Sequence, residues 1–176
     1  MNDKNKYFGK YRGTVINNVD PEQRGRIQVT VADVSNLLPS SWAMPCMPIG
    51  GPQMGMFTVP IIGSSVWIEF EQGDPDYPIW TGCFWERELA AAEIPMLARI
   101  VPPAIPGIVF QTPLQNGVII SDMPPTPVTG GIVLKSATGA MIVVNDTGIY
   151  IQNGKGASIM MVGPTITINN GALLIT

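Results

Sequence analysis

Apolar and polar residues alternate with a period of two in short runs along most of the chain, and turn chemistry interrupts each run. The first run, 7–17, alternates through Tyr11, Gly13, Val15 and Asn17, and the turn Val19-Asp20-Pro21-Glu22-Gln23-Arg24-Gly25 closes it. Arg26 to Val31 follows, with Ile27, Val29 and Val31 on one face. A third run surrounds Trp42 to Met47, and a further one covers Gly55 to Pro60 after a Gly/Met/Pro-rich loop. Ser65 to Phe70 is the clearest strand; the turn Gln72 to Asp76 leads to the last, Pro78 to Trp85. About five strands in ~80 residues fit a small closed barrel, which leaves no sticky edges.

The character changes over 86–130. Glu86 to Glu93 has the composition of two helical turns, and Pro95 stops it. Prolines then recur at 102, 103, 106, 113, 124, 125 and 127, which argues for an extended connector and against helix or central strands. The stretch is also apolar (Ile100, Val101, Ile105, Ile108, Val109, Phe110, Val118, Ile119, Ile120), so it is expected to lie against other protein.

Residues 131–176 repeat. Apolar pairs two apart recur as Ile132/Leu134, Ile142/Val144, Ile149/Ile151, Ile159/Met161, Ile166/Ile168 and Leu173/Ile175, with Gly- and Asn-rich turns between them. A strand this short cannot bury its apolar face alone. Three copies of the chain around one axis would bury it, with these twelve residues filling the axis and six layers making a rod of roughly 30 Å. An antiparallel meander within one chain is the competing arrangement. The segment's only charges are Lys135, Asp146 and Lys155.

Composition supports coverage by other chains. Of the 176 residues 45 % are apolar and only 13 % charged, about half the usual charged share. No run approaches the ~18 apolar residues of a membrane span. The polar start, Met1 to Lys6, does not read as a secretory signal, so synthesis in the cytoplasm is expected. A net charge of −3 argues against nucleic acid. Cys46 and Cys83 are expected as reduced, buried thiols, although a pairing within the barrel is also conceivable.

Candidate chemistry is sparse. With no histidine, the commonest base and metal ligand is missing. Glu69, Glu71, Asp74 and Asp76 form the densest acidic cluster, but they read as a solvated hairpin rather than two carboxylates across a glycosidase cleft. Asp20, Glu22, Asp74 and Asp76 could hold calcium, yet Asp-Pro pairs mostly start turns, so no metal and no cofactor is assigned. Trp42, Trp67, Trp80 and Trp85 lack the basic groove of a single-strand binder and are expected in core or subunit packing. Met44, Met47, Met54 and Met56 are a candidate contact with a partner or neighbouring subunit, with core filling as the alternative.

The stretch Gly13-x-Val15-x-Asn17-x-x-Asp20-Pro21-x-x-x-Gly25-Arg26-Ile27-x-Val29 resembles the opening of the OB-fold domain of phage baseplate central spikes and the related VgrG proteins of type VI secretion. Trp42, Pro60, Trp67, Phe70, Gly73-Asp74-Pro75 and Gly82 continue the resemblance in order, over roughly 9–85. It implies an all-β protein with an OB-fold barrel (1–85), a Pro-rich connector (86–130) and an intertwined triple-stranded β-helix formed by a homotrimer (131–176). It further implies a structural, non-enzymatic spike in a virion or phage-like particle, attached beneath the tail-tube hub and piercing the target cell envelope on sheath contraction. Residues 86–130 are too few for the lysozyme domain of some family members, and the missing histidine excludes a His-x-His iron tip. A blunt end and a PAAR-type cap on the apolar last layer are both compatible. The rival classes are a spike of a type VI or extracellular contractile system, an OB-fold binding module and a small cell-wall hydrolase.

Overall fold

A computed structural model of the chain describes residues 5–36, 38–86, 93–99, 107–122 and 130–175, which fall into two units divided at Ala90/Ala91. Both are built of strands, and among the described residues the longest α-helix is the single turn α1, Ala32–Ser35, which the strand pattern did not anticipate.

In the first unit, five strands form one sheet in the order β2-β1-β6-β7-β3: β1 Tyr11–Asn17, β2 Gln28–Thr30, β3 Met44–Pro45, β6 Ser65–Phe70 and β7 Pro78–Cys83. All neighbours are antiparallel except β3 and β7, which run parallel. The sheet curls until its ends meet. Ile27 and Ala43 exchange two backbone hydrogen bonds (3.2 and 2.7 Å), and Ser40 N–H donates to the Val29 carbonyl at 2.8 Å. The two outer strands are thereby joined, and the unit is a closed barrel as the turn spacing predicted.

Alternation decides what fills it. Val15, Ile27, Val29, Val31, Ala43, Val66, Ile68, Phe70 and Trp80 are buried together, and the expected face Ile27/Val29/Val31 is among them. Gly13 stands where β1 crosses this core, and a Cβ there would come within 2.9 Å of Ile68 Cγ1. Opposite the Trp67/Ile68 step, β7 carries one extra residue, so that Trp67 pairs with Gly82 and Ile68 with Trp80.

The run 55–60 departs from expectation. Only a two-residue hairpin forms there, β4 Gly50–Gly51 with β5 Met54–Gly55, and Phe57 to Pro60 carries no strand. Pro48, Pro52 and Pro60 punctuate this stretch, and none has an N–H for a ladder.

The second unit is one sheet of eight antiparallel strands in strict chain order. They are β8 Gly107–Gln111, β9 Gly117–Ser121, β10 Gly131–Lys135, β11 Met141–Asn145, β12 Gly148–Gln152, β13 Ser158–Val162, β14 Thr165–Ile168 and β15 Leu173–Ile175. Each strand bonds to its sequence neighbour, so one chain completes its own ladders and brings a finished sheet. At about 4.8 Å per strand the sheet is roughly 35 Å tall, and its five-residue strands make it about 17 Å wide.

This sheet starts earlier than expected. β8 and β9 lie inside the stretch read as a strandless connector, and β9 is a central strand between β8 and β10. The proline density misled because Pro113 sits in the turn 112–116 between the two strands, leaving 107–111 and 117–121 without one. The expected helical turns of 86–93 and the prolines at 102, 103, 106, 124, 125 and 127 lie almost wholly outside the described residues.

Replacing Ile68 by Ala should destabilise the barrel by about 3 kcal/mol, since it removes a fully buried branched side chain. Guanidinium unfolding followed by tryptophan fluorescence, to which the buried Trp80 contributes, measures it; Tyr77→Ala, at an exposed ring, should shift the midpoint little.

Candidate oligomerisation face

A five-residue strand turns its first, third and fifth residues to one side and its second and fourth to the other. In this sheet the second and fourth are nearly always apolar, and the register places them in line. One row runs Ile108, Ile120, Ile132, Val144, Ile149, Met161 and Ile166, and the next backbone position in it is Ile175. The other runs Phe110, Val118, Leu134, Ile142, Ile151, Ile159, Ile168 and Leu173. No polar side chain interrupts either row. Every residue expected at the axis lies in one of them.

The face is open in the single chain. Ile108, Phe110, Ile120, Ile132, Leu134, Ile142, Val144, Ile149, Ile151, Ile159 and Leu173 are 36–57 % exposed, and Val118, Met161, Ile166 and Ile168 are half-buried. Their accessible area is on the order of 1,000 Å², against the few hundred of an ordinary patch on a monomer. A surface of this size has to be covered.

The opposite face is built differently. Its middle row begins Val109, Ile119, Val133, Val143 and passes to Tyr150, Met160 and Thr167, while its margins carry Gln111, Lys135, Asn145, Gln152 and Ser158. Over the first strands a 3-10 turn, Met96–Arg99, lays Leu97 onto the row, burying it with Ile119, Val133 and Val143. The Leu97 N–H donates to Gln111 Oε1 at 2.8 Å, and a Cβ on Gly117 would collide with the Leu97 side chain at 2.6 Å. Further along, Tyr150 is tied by a 2.8 Å hydroxyl bond to Thr147, whose Oγ1 donates to Asn145 Oδ1 at 2.7 Å.

Four residues of the open face, Ile108, Phe110, Val118 and Ile120, were not assigned to it from the repeat. The signal was present: the pairs 108/110 and 118/120 start ten residues apart, as do 132/134 and 142/144.

In the barrel, five of the residues quoted for the OB motif, Asp20, Pro21, Gly25, Arg26 and Trp42, meet around the β1–β2 turn, while the others lie apart from it. Asp20 accepts backbone N–H bonds from Glu22, Arg24 and Arg26 (3.0, 2.8 and 3.2 Å) and pairs with the Arg26 guanidinium at 2.6 Å. Its side chain is only 4 % exposed and that of Arg26 11 %. The Arg26 hydrogen bond, aided by the backbone donors, outweighs desolvation and holds the Asp20 carboxyl far below its ordinary 3.8; the Arg26 pKa is raised in turn, first by its bond to Asp20. Arg26 also lies over the Trp42 ring at 5.4 Å. Pro21 enters the turn, and Gly25 leaves it at φ +75°, with Phe57 beside the place of its missing Cβ and its carbonyl accepting the Trp80 indole N–H at 3.1 Å. The Pro60 carbonyl takes an amide hydrogen from Asn18, Phe70 packs against the rings of Tyr7 and Tyr11, and Gly73, Asp74 and Pro75 shape the β6–β7 turn.

The other singled-out residues separate. Trp67 stacks on Phe84 at 4.5 Å beneath Arg12, whereas Trp85 is exposed. Met47 packs on the barrel core and Met44 is half-buried, whereas Met54 and Met56 are exposed. Cys46 and Cys83 are unpaired and both exposed, contrary to the expectation of buried thiols. Cys46 lies just past the end of β3, and Cys83 ends β7 beyond the inward-facing positions. Partial burial still pushes the Cys83 pKa up. Glu69 pairs with Lys10 at 2.8 Å and Asp74 Oδ1 accepts the Asp76 N–H, as a hairpin reading requires. Among the described residues no three His, Cys, Asp or Glu converge as a metal site.

Two family models match the chain on these same two units. Residues 11–85 match the type VI secretion system/phage-baseplate injector OB domain, and 107–174 match the phage baseplate V C-terminal trimerisation domain. The chain belongs to the phage baseplate V family. Its fold is accordingly an OB domain followed by a β-helix domain, and the barrel and eight-stranded sheet are what each chain supplies to them. The family places it in the baseplate or spike of a phage tail or type VI secretion apparatus and gives the C-terminal domain the task of self-association. The trimerisation match begins at Gly107, the first residue of β8, so the open face and the matched domain coincide. Comparison with curated proteins finds no match.

Because the Asp20 pKa is lowered on folding, the stability this carboxylate contributes is whole above its ordinary 3.8 and fades as pH falls through the depressed folded value. Asp20→Asn should therefore destabilise the barrel at neutral pH and flatten its loss of stability in acid below pH 3.8. Thermal melts of both proteins between neutral and strongly acid pH check this.

Proposed function

We propose that this chain is the central spike of a contractile injection machine: a homotrimer attached beneath the tail-tube hub and driven through the target envelope when the sheath contracts. The observation that carries the proposal is the pair of unbroken apolar rows on an open face. In an equilateral prism whose sides are sheets about 17 Å wide, each sheet stands roughly 5 Å from the axis, half the ~10 Å that separates packed sheets. One layer of Ile, Leu, Val, Met and Phe side chains from each face fills that space. Three chains then bury one another's rows without a cavity, and a layer contains one strand from every chain.

Such a rod works by stiffness and shape, with no reaction of its own. Its ladders run along its length, every layer of the interior is apolar, and no chain can leave without exposing all its layers. The outward margins, with Lys135, Asn145 and Gln152, suit solvent. The particle is a phage tail or a phage-like one. A type VI or extracellular contractile system would use the same part.

Light scattering on the whole chain should give three times the monomer mass. Ile151→Asp, which sets three carboxylates at the axis, should give monomers, while Gln152→Asp on the outer margin should leave the trimer intact. A wild-type monomer, or equal loss of assembly in both variants, would sink the proposal.

A further inference from the structure

The barrel carries a second surface that its own fold does not use. Between β3 and β6 the chain makes a 19-residue excursion, 46–64, containing the small β4–β5 hairpin. Ile49, Met54, Met56, Phe57, Ile61 and Ile62 all stand 44–71 % exposed on it. Together they present on the order of 600 Å² of surface, at the upper limit of the largest patch on a typical monomer. No Asp, Glu, Lys or Arg occurs from Val34 to Ile68, 35 residues in a chain whose charged share is 13 %.

We infer that this loop is a contact between copies of the chain, and that in the trimer three copies of it meet around the three-fold axis of the barrels. The inference rests on the trimeric reading above. Symmetry supplies the argument. A residue near a rotation axis faces its own copies, so any charge placed there faces like charge. A charge on the axis therefore costs repulsion, and a chain of net charge −3 has good reason to keep its carboxylates elsewhere. On the barrel the charged residues stand elsewhere, as in the pairs Lys10–Glu69, Arg12–Glu86 and Asp20–Arg26. The loop has no charges to offer a charged partner. Its patch is somewhat smaller than the ~800 Å² per partner of a free-standing interface. Tethering by the C-terminal domain offsets that, because three barrels joined by an assembled rod sit at an effective concentration of about millimolar. Met54 and Met56 add pliable side chains that adapt to their own images.

The test uses the full-length protein, oxidised by hydrogen peroxide and read by peptide mass spectrometry, with the mass of the same sample taken by light scattering. In a sample of trimer mass, Met54 and Met56 should oxidise several-fold more slowly than in the chain unfolded in guanidinium. Met56→Lys, which brings three ammonium groups together, should restore the unfolded rate at Met54 while the mass stays that of three chains. Trimers in which Met54 and Met56 react at the unfolded rate would overturn this inference alone and assign the loop to a different protein. Protection of Met54 that survives Met56→Lys would overturn it too, since the loop's own fold would then be the shield. A monomer mass would instead overturn the trimeric reading on which it rests.

Discussion

Everything in the C-terminal half follows from one steric fact: a five-residue strand has two residues to give to one side and three to the other. When both of the two are Ile, Leu or Val, as in β10, β11 and β12, the strand has no polar position left on that side. Turns that join each strand to its immediate neighbour then force identical sides into line. A single layer of sheet has no second layer of its own over that side, so apolar side chains remain in water until other molecules arrive. Burial of apolar area thus becomes a property of the assembly rather than of the chain.

The barrel meets the same problem by the opposite route. Its sheet curls until β2 and the segment before β3 bond to each other, and the inward residues find their partners within 80 residues of chain. The curl depends on the reversal between β1 and β2, where Asp20 gathers three backbone N–H groups and a guanidinium. Strong local polar bonding in one short turn permits a long apolar contact list elsewhere. The two units therefore differ in independence: one closes on itself, and the other is finished only by association.

Much of this was legible in the residues. Period-two alternation marks Val15, Ile27, Val29, Ile68 and Ile132 to Ile168, since inside-outside order is what a pleated strand imposes. The β8–β9 hairpin was obscured because prolines flank it on both sides and one sits in its turn; composition averaged over the stretch hid two clean strands. Whether consecutive strands pair within one chain is not encoded in alternation at all, because every pairing scheme needs the same sides apolar. The Asp20–Arg26 knot was visible only as a turn, since a six-residue separation says nothing about a guanidinium folding back under its own loop. The exposure of Cys46 and Cys83 depends on where β3 and β7 end, and strand ends are the least determined feature of such patterns.

The meander has a bearing on how such molecules change length over generations. Deleting two successive strands, β12 and β13 for instance, would leave β11 and β14 antiparallel, keep both apolar rows continuous and shorten the sheet by about 10 Å. Losing a single strand would instead move every later turn to the opposite margin. Duplication and loss by whole hairpins is therefore the natural unit of variation, and a rod assembled from this sheet grows or shrinks in steps without redesign of what remains.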